Sequence, residues 1–169
     1  MSTDGETVMR PKAMTGSGGL RWLWLSLVLL LADQGSKYLA STKLAYGESV
    51  PVTPFFNWVH WHNTGAAFSF LADAGGWQRP FLIGLALVVS AALVYWLWRA
   101  PRLLGYRLGL SSILGGALGN VVDRARLGYV EDYLDFHYAQ WHWPAFNLAD
   151  VWIILGAALL LWAELKRPQ

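Results

Sequence analysis

The chain has 169 residues, of which 55% are hydrophobic and only 14% are charged, against roughly 25% charged residues in an ordinary soluble domain. It contains no Cys, which excludes a disulfide scaffold, a thiolate nucleophile and a Cys-based zinc or iron–sulfur site. The formal net charge is +2, and without a basic run this value does not favour nucleic-acid binding. The composition leaves a single-domain membrane protein or an unusually apolar globular protein.

Long apolar runs follow one another along the chain and predict transmembrane helices. The four runs are 20–38, 80–98, 106–122 and 148–165. At about 1.5 Å per residue, runs of this length span roughly 26–29 Å, close to the thickness of the hydrocarbon core of a bilayer. We therefore predict a mostly α-helical, polytopic membrane protein. Its single transmembrane domain covers 20–165, with a flexible tail at 1–19 and a short tail at 166–169.

The distribution of basic residues predicts the orientation of these helices. Eight Lys and Arg lie on one side of the runs: before or at the start of the first, between the second and third or at the start of the third, and after the fourth. Four lie in the other two connections. The positive-inside rule then places both termini in the cytoplasm and the loops 39–79 and 123–147 outside. The first run has the basic flank of a signal peptide, but it carries Asp33 and Lys37 and lacks a small-x-small cleavage site, so we expect it to be retained.

The first extracytoplasmic loop contains an aromatic and β-branched stretch from Pro51 to Gly65. This composition predicts a small β-rich segment at the outer membrane interface. Its His60 and His62 would share a strand face and could bind a metal, but no His-Glu-x-x-His motif accompanies them and we expect no metal site. The end of this stretch overlaps Asn63-Thr-Gly65-Ala-Ala-Phe-Ser69, which is either a plain turn or a place where another chain approaches the backbone closely.

The third run contains two Gly-x-x-x-Gly patterns, Gly105–Gly109 and Gly115–Gly119, which predict a central helix with close neighbours. Asn120 lies in its last turn, facing the bundle. We expect Asp123 and Arg124 just beyond the end of this helix. There Arg124 would either hold a carbonyl or carboxylate or form a local ion pair with Asp123.

Asp33 and Lys37 in the first run are four residues apart, with the acid nearer the N-terminus. They share a helix face and can form an ion pair. Ionisable groups in a membrane span are costly and therefore indicate a role. That role is either a bundle-facing pair that organises the outer rim or direct contact with a substrate.

Two further acids, Asp132 and Asp150, are expected at the outer ends of the third and fourth helices. Asp150 is the third helical residue after Asn147, in a capping-box-like arrangement, and it could serve only as part of that cap. Two carboxylates at one depth, however, cannot both ionise at low cost and would share a proton. One would then take a proton from a water that attacks a peptide carbonyl, while the other donates to the carbonyl oxygen. This chemistry needs no cofactor.

Five sequence boxes, in this order, resemble those of signal peptidase II, the bacterial lipoprotein signal peptidase, over about residues 20–165. They are Asp33-Gln-Gly-Ser-Lys37, Asn63-Thr-Gly-Ala-Ala-Phe-Ser69, Gly115-Gly-Ala-Leu-Gly-Asn120-x-x-Asp123-Arg124, Gly128-x-Val130-x-Asp132 and Phe146-Asn147-x-Ala149-Asp150. The resemblance implies an aspartyl endopeptidase of the bacterial plasma (inner) membrane with its active site at the extracytoplasmic face. Such an enzyme removes the signal peptide from diacylglyceryl-modified prolipoproteins by cleaving before the lipidated Cys.

The resemblance also implies roles for individual residues. The catalytic pair corresponds to Asp132 and Asp150. The supporting or substrate-binding residues correspond to Asp33, Lys37, Asn63, Gly65, Asn120, Arg124 and Asn147. The box around Asp132 departs from the family pattern, because Glu131 precedes it and Tyr133 follows where the family often has Val and Phe. Asp135-Phe136 could be mistaken for this box, but counting from Gly128 favours Asp132.

The implied partners are a lipid-modified prolipoprotein and membrane lipids, with no nucleic acid. A monomer suffices for the reaction because both acids lie in one chain. Two other classes of protein remain open from the residues alone. A small proton-coupled transporter would place its key acids near the bilayer midplane. A non-enzymatic assembly or lipid-binding protein would require neither acid individually.

Overall fold

The computed structural model describes residues 18–65 and 75–166, which form four α-helices and four strands. The helices are α1 (Leu23–Lys43), preceded by a 3-10 turn at Leu20–Trp22, α2 (Gln78–Arg99), α3 (Leu104–Arg126) and α4 (Leu148–Leu165). The strands are β1 (Ser49–Thr53), β2 (Phe56–Asn63), β3 (Val130–Tyr138) and β4 (Trp141–His142). The fold is thus mostly helical with a small sheet, as predicted. The expected flexibility of 1–17 and the second half of the Asn63–Ser69 box lie outside the described residues.

The helices extend beyond the apolar runs in three cases, whereas α4 has the predicted bounds. The expectation that Asp123 and Arg124 lie beyond the third helix is wrong, since both belong to the end of α3. The N–H groups of Leu127 and Gly128 donate to the carbonyls of Asp123 and Arg124 at 2.7 and 3.2 Å. Gly128 has a φ of +92°, a left-handed conformation that commonly ends a helix. The helix therefore ends two residues before this glycine, at Arg126, and not where the side chains become polar.

Two of the described helices, α2 and α4, are long and apolar enough to cross a membrane, judged by length and composition. Their apolar side chains face outward, since Val88, Ile154 and Leu161 are 67–69% exposed. Monomeric soluble proteins rarely leave large contiguous apolar surfaces uncovered. These outward faces are therefore suited to contact with lipid.

Helix α3 lies at the centre and packs on α1, α2 and α4. A Cβ on Gly109 would lie 2.7 Å from the carbonyl oxygen of Gly156 in α4, and a Cβ on Gly115 would lie 2.8 Å from that of Ser26 in α1. Only glycine permits such close approach of two backbones. The prediction of a central third helix is confirmed.

The sheet is antiparallel, with the strand order β1-β2-β3-β4. Strands β1 and β2 come from the first predicted loop, as expected. Strands β3 and β4 come from the second loop, for which no β-structure was predicted. Pairing of β2 with β3 joins the two loops into one layer, with Asn63 opposite Val130 and Trp61 opposite Asp132. This layer covers the ends of the helices where the polar residues collect.

Candidate active site

The N-terminus of α4 positions Asp150. Asn147 is the N-cap, and its side chain accepts a hydrogen bond from the backbone N–H of Asp150 at 3.2 Å. In return, the Asp150 carboxylate accepts from the backbone N–H of Asn147 at 3.3 Å. This reciprocal pair is the predicted capping box. It fixes the side chain of Asp150 in the first turn of a helix, where the helix dipole favours negative charge.

Asp132 lies on β3 and not at a helix end, which corrects the expected position. Its side chain is buried, and each carboxylate oxygen accepts a hydrogen bond from an amide side chain. Asn147 Nδ2 donates to Oδ1 at 2.7 Å, and Asn63 Nδ2 donates to Oδ2 at 3.1 Å. Asn147 therefore contacts both acids, with its amide on Asp132 and its backbone N–H on Asp150. This shared residue brings the two predicted catalytic carboxylates into one site.

The surroundings of Asp132 favour its protonated form. Burial raises the pKa of the Asp132 carboxyl to about 7, and the charge of Asp150 acts in the same direction. The hydrogen bonds from Asn147 and Asn63 lower this pKa, but their effect is smaller than that of burial. A group with such a pKa can hold or release a proton near neutral pH, which is what an acid–base catalyst requires.

Asn120 links Asp150 to a buried lysine. Its Nδ2 donates to Asp150 at 3.0 Å, and its Oδ1 accepts from Lys37 Nζ at 3.0 Å. Because an ammonium group can only donate, Lys37 fixes which end of the Asn120 amide points toward Asp150. The prediction that Asn120 faces the bundle interior is confirmed.

The predicted ion pair between Asp33 and Lys37 is present, with Nζ and Oδ2 2.8 Å apart and both side chains almost fully buried. Lys37 also pairs with Asp123 at 2.6 Å, so Asp123 does not make the local pair with Arg124 that was an alternative. Asp33 has a further contact, because its Oδ1 accepts from the backbone N–H of Ala149 at 2.9 Å. The ion pair thus holds the start of α4 against α1 and α3.

Arg124 and Gly65 form one contact of the site. Arg124 Nη2 donates to the carbonyl of Gly65 at 2.7 Å, which is the carbonyl-holding role expected of this arginine. The N–H of Gly65 donates to Asn63 Oδ1 at 3.0 Å. Since Asn63 also binds Asp132, the turn after β2 is tied to the acid on one side and to α3 on the other.

The sequence did not indicate Tyr133 or Ser36. The Tyr133 hydroxyl lies 2.6 Å from Ser36 Oγ and accepts from the backbone N–H of Leu148 at 3.2 Å. Burial raises the pKa of Tyr133 to about 12, so it stays neutral. Asp33 accepts from the N–H of Ala149, and Asn147 accepts from that of Asp150. The first three backbone N–H groups of α4 therefore each have a side-chain acceptor. The only sequence signal for the role of Tyr133 is that it directly follows Asp132.

The histidines have aromatic and acidic neighbours. His62 stacks on Tyr129 with ring centroids 3.6 Å apart, and His60 Nε2 lies 3.8 Å from Glu131. His142 Nδ1 lies 2.9 Å from Asp135, the acid that could be mistaken for Asp132. Asp135 also accepts from Asn57 at 2.8 Å. Within residues 18–65 and 75–166, no group of three or more His, Cys, Asp or Glu is arranged to hold a metal ion.

The family model described as Signal peptidase (SPase) II matches residues 25–166. The chain belongs to the signal peptidase II family. It is 48% identical over 157 residues to a lipoprotein signal peptidase of Vibrio parahaemolyticus, covering 90% of this chain and 93% of that one. It is 54% identical over 143 residues to a lipoprotein signal peptidase of Serratia marcescens, covering 85% and 84% of the two chains.

Solved structures agree with this assignment. A bacterial membrane enzyme matches with a TM-score of 0.77 and 31% identity, covering 86% of this chain and 88% of that one. A second bacterial membrane enzyme matches with a TM-score of 0.76 and 30% identity, covering 88% and 94% of the two chains. The chain is therefore a protease of a membrane-enzyme family. This finding removes the transporter and the non-enzymatic protein that the residues alone left open.

Proposed function

We propose that this chain is a membrane-embedded aspartyl endopeptidase that removes the signal peptide from diacylglyceryl-modified prolipoproteins by cleaving before the lipidated Cys. Asp132 and Asp150 form the catalytic pair. The observation that carries this proposal is the position of Asn147, whose side chain donates to Asp132 while its backbone N–H donates to Asp150. No residue of the chain acts as a nucleophile, and no cofactor or metal takes part.

The reaction follows from two carboxylates that hold one proton between them. The ionised carboxylate takes a proton from water, and the water oxygen bonds to the carbonyl carbon of the scissile peptide. The protonated carboxyl donates a hydrogen bond to the carbonyl oxygen, where negative charge develops. When the C–N bond breaks, a carboxyl proton passes to the leaving amine. The proton belongs to the pair, so neither role is assigned to one aspartate.

The supporting residues hold this pair in place. Asn63, Asn120 and Asn147 each donate an amide hydrogen bond to one of the two acids. Such donors reduce the freedom of the carboxylates before substrate arrives, which lowers the entropy cost of reaching the reactive geometry. Asp33 and Lys37 act as positioning residues, and Arg124 holds the Gly65 carbonyl.

The membrane placement is part of the proposal. All four helices cross the bacterial inner membrane, both termini are cytoplasmic, and a domain of residues 20–165 suffices as a monomer. The catalytic pair then lies at the extracytoplasmic interface, at the depth where the scissile bond of a lipid-anchored precursor must lie. The acyl chains of the substrate stay in the membrane against the apolar outer faces of the helices. The sheet formed by β1–β3 covers the site and positions an extended substrate.

Cleavage by purified protein tests the function. We expect a precursor with a diacylglyceryl-modified Cys to be cut directly before that Cys, as shown by the mass of the product, and the same precursor without lipid to be cut far more slowly. Asp150→Asn should abolish the reaction, whereas a chelator should leave it unchanged. Cleavage by folded Asp150→Asn protein, or loss of cleavage with the chelator, would contradict the mechanism.

A further inference from the structure

The end of the helix bundle opposite the two aspartates contains an arginine-lined cavity that the proposed reaction does not use. Its volume is about 570 Å³, and its described lining residues are Gly18, Arg21, Arg102 and Arg107. These residues come from the segment before α1, the loop between α2 and α3, and the first turn of α3. Three parts of the chain thus bring arginines to one space.

Arg107 is buried there, with 8% of its surface exposed. Its Nε donates to the carbonyl of Pro101 at 3.0 Å, but its Nη2 is buried without a hydrogen-bond partner among the described residues. An unsatisfied buried donor on a charged group is costly. A positive-inside topology signal requires only a basic residue on the cytoplasmic side, so it does not explain this burial. An anionic acceptor in the cavity would satisfy this donor.

The positive charge at the cavity is concentrated. A Cβ built on Gly18 would lie 3.1 Å from Arg21 Nη2 and 3.7 Å from Arg107 Nη1, so two guanidinium groups face the same small space. Helix α3 begins beside them with no side-chain cap and no acid in its first turn. The partial positive charge of its N-terminus adds to that of the arginines. The cations repel one another, and the attraction of an anion between them would offset that repulsion.

The neighbouring side chains indicate which anion is available. Exposed tryptophans lie at the helix ends on this side of the bundle, and Arg99 and Lys166 lie over the rings of Trp98 and Trp162 at 5.0 and 4.3 Å. Tryptophan and snorkelling basic side chains are enriched at the level of the lipid headgroups. At that level the abundant anion is the phosphate of a phospholipid.

We propose that Arg21, Arg102 and Arg107 form a binding site for the phosphate of an anionic phospholipid headgroup. In the proposed orientation this lipid belongs to the cytoplasmic leaflet, where anionic lipids collect. Binding ties the segment before α1 to the start of α3 and stabilises the folded protein by linkage. The site goes beyond the peptidase reaction and does not depend on either aspartate.

Lipid titration of the full chain in detergent tests this site, with thermal unfolding and native mass spectrometry as readouts. We expect short-chain phosphatidylglycerol to raise the Tm and to be retained, and phosphatidylcholine to do neither. Arg21→Gln should weaken phosphatidylglycerol binding by about tenfold, since a charge-assisted hydrogen bond is lost. The matched control is Arg99→Gln, a basic residue at the same end but outside the cavity, which should bind like the native protein. Asp150→Asn should also bind normally, so this test is separate from that of the proposed function.

Three results would overturn the proposal. The first is an affinity for phosphatidylglycerol in both Arg21→Gln and Arg102→Gln that equals that of the native protein. The second is binding of phosphatidylcholine as tight as that of phosphatidylglycerol. The third is a rise in Tm from inorganic phosphate equal to that from phosphatidylglycerol at the same concentration. The last would indicate a site for free anions. Both substituted side chains are exposed, so these variants should fold. Arg107→Gln, at the buried position, should show the largest loss, and if it does not fold the two exposed variants decide.

Discussion

Replacing Asp132 by Asn should make the stability of the protein less dependent on pH while abolishing cleavage. Burial raises the pKa of Asp132 from 3.8 to about 7. Since this pKa is higher in the folded than in the unfolded state, the folded state binds the proton more tightly. The resulting stability is fully present below pH 3.8, and it is lost as the pH rises through about 7.

The magnitude follows from the size of the shift. One pKa unit corresponds to about 1.4 kcal/mol, so the native protein should lose roughly 3 kcal/mol from this group between pH 5 and pH 8. In a chain of this size that corresponds to a fall in Tm of roughly 5–10 °C. The asparagine side chain of the variant cannot titrate and should lack this loss. Its N–H₂ group would also point at one of the two amide donors, Asn63 or Asn147, which costs about 1–3 kcal/mol at every pH.

Thermal unfolding of both proteins in one detergent, at pH 5 and at pH 8, measures the effect. The informative quantity is the Tm of the variant minus the Tm of the native protein. This difference should be larger, or less negative, at pH 8 than at pH 5. The pH-independent cost cancels in this comparison. An equal difference at the two pH values would refute the argument that Asp132 is held protonated by burial.

Three further substitutions test the hydrogen bonds around the pair. Asn147→Ala should cost about 1 kcal/mol of stability through loss of the helix cap and lower kcat on the order of 100-fold through misplacement of Asp132, measured by unfolding and by cleavage of the lipidated precursor. Lys37→Gln should destabilise the protein by roughly 3–5 kcal/mol, because Asp33 and Asp123 lose their buried counter-ion, which would be seen as a loss of folded protein on purification. Tyr133→Phe should cost about 1–3 kcal/mol at the start of α4 yet retain cleavage; a loss of kcat without a loss of Tm would contradict its structural role.

Local features of the site could be predicted from the sequence. The capping box of Asn147 and Asp150 spans four residues, and the pair of Asp33 and Lys37 spans one helical turn, so spacing alone defines both contacts. The bounds of α4 were predicted correctly because its cap coincides with the start of the apolar run. The glycine spacing in α3 predicted its close helix contacts, because residues four apart lie on one face of a helix.

Contacts between distant parts of the chain were missed. Strand β3 depends on pairing with β2 about seventy residues earlier. From the sequence it was predicted only as part of the loop 123–147. Asp123 was an alternative partner for Arg124, but adjacent residues on a helix do not face each other, and its partner is Lys37. The contacts of Tyr133 with Ser36 and Leu148 have no local sequence signal.

We propose Asp132, and not another buried acid of the same strand, as the catalytic partner of Asp150. Asp135 is a matched control, because it lies three residues further along β3, is 1% exposed, and contacts Asn57 and His142 in place of Asn147. Cleavage of a diacylglyceryl-modified precursor should be measured for folded Asp132→Asn and Asp135→Asn proteins side by side. We expect no detectable cleavage by Asp132→Asn and substantial cleavage by Asp135→Asn. Cleavage by Asp132→Asn at a rate near that of the native protein would contradict it.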